Sequence, residues 1–168
     1  MKKSRILYRA RQFWETLTAR WRPRDEAYPA AHLSPTLLDL FLTMSPAEQH
    51  HGIALAKKLE NAPAATPDLI TAALLHDVGK TLAPPTLWER VAVVLVEHFA
   101  ADPMDYLDKA WFWELKRAYV TRTHHAAWGA ELAEKAGASP RAVALIRQHH
   151  DEATQDKTLK LLQLVDDS

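Results

Sequence analysis

An all-α fold is what this 168-residue sequence predicts, and three observations carry the prediction. Five capping residues are followed directly by proline: Ser34-Pro35, Ser45-Pro46, Thr66-Pro67, Asp102-Pro103 and Ser139-Pro140. Proline at the first helical position gives up only an N–H that lacks an intrahelical acceptor anyway, so each pair reads as a helix start. Only four glycines occur, and two of them, Gly79 and Gly137, stand where helical periodicity stops. No hairpin dipeptide and no sustained apolar–polar alternation speaks for strands. Hydrophobic residues make up 48% and charged residues 25%, the composition of a globular chain long enough to bury one core.

The first helix is read over 4–21, where Ile6, Ala10, Phe13, Trp14, Leu17 and Trp21 form one apolar stripe with arginines elsewhere. Helices follow near 35–43, 46–60, 67–77, 86–99, 103–120, 124–136, 140–150 and 157–167. Ser45-Pro46-Ala47-Glu48 opens the second of these as a capping box. The valine-rich stretch near 91 is the one segment where strand and helix compete. There is no internal repeat, low-complexity tract or long linker. The organisation expected is a basic amphipathic arm over 1–30 followed by a single domain over 31–168, in all a compact helical bundle with an extra N-terminal helix.

The formal net charge of zero hides an asymmetry. Residues 1–24 hold eight basic side chains against the single acid Glu15, a net of +7, so the remainder carries −7. A neutral chain with a basic arm is a different object from a uniformly basic nucleic-acid binder. The arm is expected to pack on the domain or mediate homo-oligomerisation in preference to binding membranes or nucleic acid. The longest apolar run, Val91–Val96, falls far short of the roughly 18 residues of a membrane span. The basic start lacks the apolar stretch of a signal peptide, so a cytoplasmic protein without a membrane span is expected.

The chain has no cysteine, so disulfides, thiolate metal sites and cysteine nucleophiles are excluded. Any metal must be held by nitrogen and oxygen. Nine histidines occur, among them the doublets His50-His51, His124-His125 and His149-His150 and the pair His76-Asp77. Each is expected at a helix end, and such side chains can converge inside a bundle to build a metal site. Imidazole with carboxylate suits manganese, iron, zinc, cobalt or nickel.

Leu74-Leu75-His76-Asp77-Val78-Gly79-Lys80 resembles the motif of the HD-domain phosphohydrolase superfamily. Gln49-His50-His51-Gly52-Ile53-Ala54-Leu55-Ala56 is similar to the family's first-histidine helix, and the register of Leu55-Ala56 selects His51 over His50. Leu161-Leu162-Gln163-Leu164-Val165-Asp166 resembles the closing helix, with Asp166 as the last ligand and Asp167 as the fallback. His125-Ala126-Ala127-Trp128-Gly129-Ala130-Glu131 and Ile146-Arg147-Gln148-His149-His150-Asp151 resemble the segments that add three histidines in two-metal members. The ordered set covers about residues 45–167.

The resemblance implies a dinuclear site of His51, His76, Asp77, His125, His149, His150 and Asp166, with Asp77 shared between two divalent transition metals, manganese or iron first. It implies metals about 3.5–4 Å apart that share a hydroxide as nucleophile. Lys80 would meet the substrate phosphate, with Arg122 as a further candidate. The expected activity is hydrolysis of a phosphodiester in a nucleotide, cyclic nucleotide or short oligonucleotide. The Gly-Tyr-Pro motif of the cyclic-di-GMP-degrading branch is missing after His150, which removes support for that substrate. Adjacent helical residues point about 100° apart, so His149 and His150 can both serve only beside a helix end. The long interval 81–123 carries the aromatic cluster Trp111-Phe112-Trp113, a lid or a dimer surface.

Three rivals remain open. A mono-metal nucleotide phosphatase would use only His51, His76, Asp77 and Asp166, leaving the other three histidines to touch substrate. A dinuclear-iron oxygenase fits the same ligands. A non-enzymatic sensor or scaffold is disfavoured by the complete ligand set. His50 and His124 read as residues beside the ligands or in solvent, and His32 and His98 as structural. The tryptophans at 88, 111, 113 and 128 read as core or interface.

Overall fold

The computed structural model describes residues 25–84, 86, 88–89, 92–93, 96, 113–151 and 154–167. The arm's apolar stripe, Asp102-Pro103, His98 and Trp111-Phe112 lie outside them. The delimited elements are α1 (Ala27–His32), α2 (Pro35–Leu42), α3 (Pro46–Glu60), α4 (Pro67–Leu75), a 3-10 turn (Val78–Leu82), α5 (Trp113–Lys135), α6 (Pro140–Gln148) and α7 (Lys157–Asp166). There is no strand among the described residues.

Four of the five cap–proline pairs do what the sequence predicts. The side chains of Ser34, Ser45, Thr66 and Ser139 accept from the N–H of Leu37, Glu48, Leu69 and Ala142, each with proline in the first turn. Glu48 closes the capping box, accepting from Ser45 N–H at 3.1 Å. Such caps contribute about 1 kcal/mol each. Asp156 caps α7 without a proline, accepting from Thr158 and Leu159.

α4 is the centre of the bundle. Leu69, Ile70, Ala72, Ala73, Leu74 and Leu75 are all buried, so this helix is apolar nearly all round and lies between α3 and α6, with α7 packed across α3 and α4. Its C-terminal end therefore delivers His76 and Asp77 into the interior. α5 runs along α6 on one side and holds the 3-10 turn on the other.

The structure corrects several boundaries. α5 is continuous over 113–135, where the sequence suggests a break between 120 and 124. No glycine or proline falls between 120 and 124, and the Thr121 and Thr123 hydroxyls donate back to the carbonyls of Arg117 and Tyr119, inside the helix. Gly137 does end it, with φ of +87°, and Ala138 N–H returns to Ala133 O. α4 and α6 stop at Leu75 and Gln148, leaving His76, Asp77, His149 and His150 in the turns that follow. α1 is too short for its periodicity to be read. Tyr28 donating to Glu60 and Lys57 to Asp25 hold it on α3. Trp88 and Trp113 are exposed rather than core. No helix among the described residues is long and apolar enough to cross a membrane.

Candidate metal centre

Five helices, α3 to α7, bring the seven sequence-predicted ligands together. α3 supplies His51 from its second turn, and α7 supplies Asp166 as its final residue. Their side chains meet with His51 Nε2 2.7 Å from Asp166 Oδ1. His76 Nε2 lies 3.6 Å from Asp166 Oδ1 and 3.6 Å from Asp77 Oδ2. Donor atoms of His51, His76 and Asp77 all fall within 4.8 Å of one another, and so do those of His125, His149 and His150. In this second group His125 Nε2 is 3.1 Å from His150 Nε2. Asp77 joins the groups: Oδ2 faces His76, and Oδ1 lies 3.4 Å from His125 Nε2.

A family model, HD domain, matches residues 50–168, from the doublet that carries His51 to a point just past Asp166. The chain belongs to the HD-domain family. Membership places it, at superfamily level, among metal-dependent phosphohydrolases that bind divalent metals. No curated protein and no solved structure matches the chain.

The HD domain's imidazoles are prepared for metal by hydrogen bonds on their far side. His76 Nδ1 is 3.0 Å from Ala73 O, His125 Nδ1 is 2.9 Å from Arg122 O and 3.1 Å from Thr121 O, and His149 Nδ1 is 2.7 Å from Ile146 O. A carbonyl only accepts, so each Nδ1 must carry the proton and each Nε2 presents a lone pair to the centre. His149 Nε2 is buried without a hydrogen-bond partner. An orphaned buried polar atom costs about 1–3 kcal/mol, and a cation there would remove that cost. Five imidazoles and two carboxylates in two groups fit divalent transition metals.

Electrostatics favour the ligating protonation states. Burial holds His76 and His149 below the ordinary imidazole range and brings His150 down to about 4. Burial opposes ionisation of Asp77, but the charge of Lys80 beside it leads the effects that outweigh burial and keep the carboxyl ionised. Asp166 is likewise held well below the usual carboxylate range, burial being overcome by the hydrogen bond and the charge of His51. His51 is the exception among the imidazoles: burial lowers it, yet Asp166 and Asp77 raise it overall.

Within this HD domain His124-His125 sits in mid-helix, contrary to the expectation that every doublet marks a helix end. His125 points inward and is buried, whereas His124 is exposed and stacks on Trp128 at 5.8 Å between ring centroids. His50 faces a small cavity lined by Asp25, Gln49 and Ile53. His32 bonds Tyr28 O and Glu60, a structural role. Lys80 Nζ lies 2.6 Å from Asp77 Oδ2, at the centre. Arg122 is exposed on α5, and its carbonyl accepts from His125 Nδ1.

Sequence reasoning missed the supports: the accepting carbonyls, which leave no trace in residue type, and Gln163. The Gln163 amide donates to Asp151 O at 2.8 Å, tying α7 to the turn after His150. It also misread Gly79. This glycine has no positive φ and no helix-ending role. A Cβ there would collide with the His125 carbonyl oxygen and stand 2.7 Å from Gly129 N.

Proposed function

We propose that this HD domain hydrolyses a phosphodiester bond in a nucleotide, cyclic nucleotide or short oligonucleotide, using two divalent transition metals, manganese or iron before zinc, cobalt or nickel. The observation that carries the reading is Asp77, whose two carboxylate oxygens face two separate groups of imidazole donors. A carboxylate in that position is suited to hold two cations at a fixed spacing. When bound, the metals supply Lewis acidity toward phosphoryl oxygens and an activated water.

The chain's own residues do the rest. His51, His76, Asp77 and Asp166 would hold one cation, and Asp77, His125, His149 and His150 the other. Two divalent cations against two carboxylates leave the centre positive, and Lys80 adds to that, which favours an anionic phosphate. Lys80 sits close enough to exchange Asp77 for a non-bridging phosphoryl oxygen. Arg122 is proposed as a weaker phosphate contact from the exposed side of α5. His150 is the solvent-reachable member of its group, which orients the substrate's approach.

The test is metal content. Elemental analysis and anomalous scattering on protein purified without chelator should find two transition metals per chain. A single occupied position, with His125, His149 and His150 turned elsewhere after saturation, supports the mono-metal nucleotidase built on the other four ligands.

A further inference from the structure

We propose that Gly129 is a positioning residue that, with Gly79, sets the distance between the two halves of the site. The inference rests on the dinuclear reading for its metal arm only. Gly129 lies in the interior of α5, where alanine would be the better helix former, so helix stability does not call for glycine. What calls for it is contact with the 3-10 turn. A Cβ on Gly129 would stand 3.1 Å from Gly79 N, 3.4 Å from Val78 Cγ1 and 3.5 Å from Ile146 Cγ2. The turn cannot recede along α5, because Gly79 is itself wedged against the His125 carbonyl. Val78 is wholly buried, and the turn is closed by Lys80 N–H on Asp77 O and by the Thr81 hydroxyl on Val78 O.

The two glycines thus let backbone meet backbone between the element that carries Asp77 and Lys80 and the helix that carries His125. A methyl group on Gly129 must push the turn away by a few tenths of an ångström. Metal–ligand distances tolerate only about ±0.2 Å. The 3.4 Å separation of Asp77 Oδ1 and His125 Nε2 is the quantity that would change.

The experiment is Gly129→Ala in the full chain. Its thermal midpoint should equal or exceed that of the parent, while manganese affinity at the weaker position falls about ten- to a hundred-fold. In metal-free protein the His125 imidazole resonances should shift, a readout independent of how many metals bind. Gly79→Ala, with its harder collision, should move them further in the same direction. Unchanged His125 resonances in Gly129→Ala overturn the proposal whatever the metal stoichiometry. So does failure of that variant to fold, which would make Gly129 a packing residue. If the parent takes up one metal but the resonances shift as expected, the positioning role stands and the dinuclear reading falls.

Discussion

His51 and Asp166 stand 115 residues apart and meet at 2.7 Å, which ties the end of α7 to α3. The bond shapes both partners: it helps hold Asp166 ionised despite burial and raises His51 against burial. Asp166→Asn keeps the size of the side chain and removes its charge. Metal affinity of the His51 group should then fall by at least about ten- to a hundred-fold in calorimetric titration. Unchanged uptake would remove Asp166 from the ligand set and leave the exposed Asp167 as the candidate.

Asp77→Ala should lower turnover by about three orders of magnitude or more and weaken binding at both metal positions, since one carboxylate serves both groups. Circular dichroism should show nearly unchanged helix, because Asp77 lies in a turn and contributes nothing to the caps of α3, α4 or α5. His32→Ala, which removes hydrogen bonds to Tyr28 and Glu60 on α1 and α3, should leave turnover intact. Equal losses in both variants would mean that Asp77 is structural.

The helix starts were legible because a cap is local chemistry. Ser45 and Glu48 need only each other and the first turn, so four residues of sequence contain the whole interaction. The candidate ligands could be proposed as an ordered set, because residue type is what ligation requires. Helix ends were harder. The sequence gives no reason for α4 to stop at Leu75 with Val78 and Gly79 still to come, since the stop is imposed by α5 pressing on the turn. The Gly79–Gly129 contact joins residues 50 positions apart, and glycine carries no side chain to announce a partner. The break expected near residue 122 is absent for the opposite reason: no glycine or proline between 120 and 124 interrupts the helix.

Arg141 clamps Asp156 with two bonds of 2.6 and 2.9 Å, and the carboxylate also caps α7. The Arg141 hydrogen bonds lead in drawing its pKa down to about 2 from an ordinary 3.8. A folded-state pKa below the unfolded one stabilises the fold above about pH 4, and the gain is lost as pH falls toward 2. Both side chains are partly exposed, so the pair is worth about 0.5–1 kcal/mol. Asp156→Asn, which keeps a capping oxygen, should cost that much in urea unfolding near pH 6 and progressively less below pH 4. A cost that does not shrink on acidification would show that shape, rather than charge, matters there.

Residues 1–24 carry a net charge of +7 and the stripe Ile6, Phe13, Trp14, Leu17 and Trp21, which as bare surface would be an association site. Deleting them should change oligomeric size or solubility in light scattering and spare hydrolysis of a small substrate. If size is unchanged and affinity for RNA or anionic vesicles drops instead, the segment is a docking element.

The proposed oligonucleotide substrate can be tested at Trp113. Trp113 is the first described residue of α5 and is 71% exposed, and His125 lies twelve residues further along the same continuous helix. At 1.5 Å per residue that is about 18 Å, beyond the reach of the base in a mononucleotide whose phosphate sits at the metals. A mononucleotide held at the metals would not reach Trp113, and we propose that only a longer oligonucleotide could. Across a panel of cyclic mononucleotides, cyclic dinucleotides, nucleoside mono- and triphosphates and short RNA, manganese or iron should support phosphodiester cleavage. Trp113→Ala should raise KM for short RNA several-fold and leave mononucleotide kinetics alone. Equal effects on both would assign Trp113 to packing. Release of inorganic phosphate only from monophosphates would make the enzyme a nucleotidase. Oxygen uptake with an unphosphorylated polyol or a phosphonate, and hydrolysis of nothing in the panel, would replace phosphodiester cleavage by dinuclear-iron oxidation.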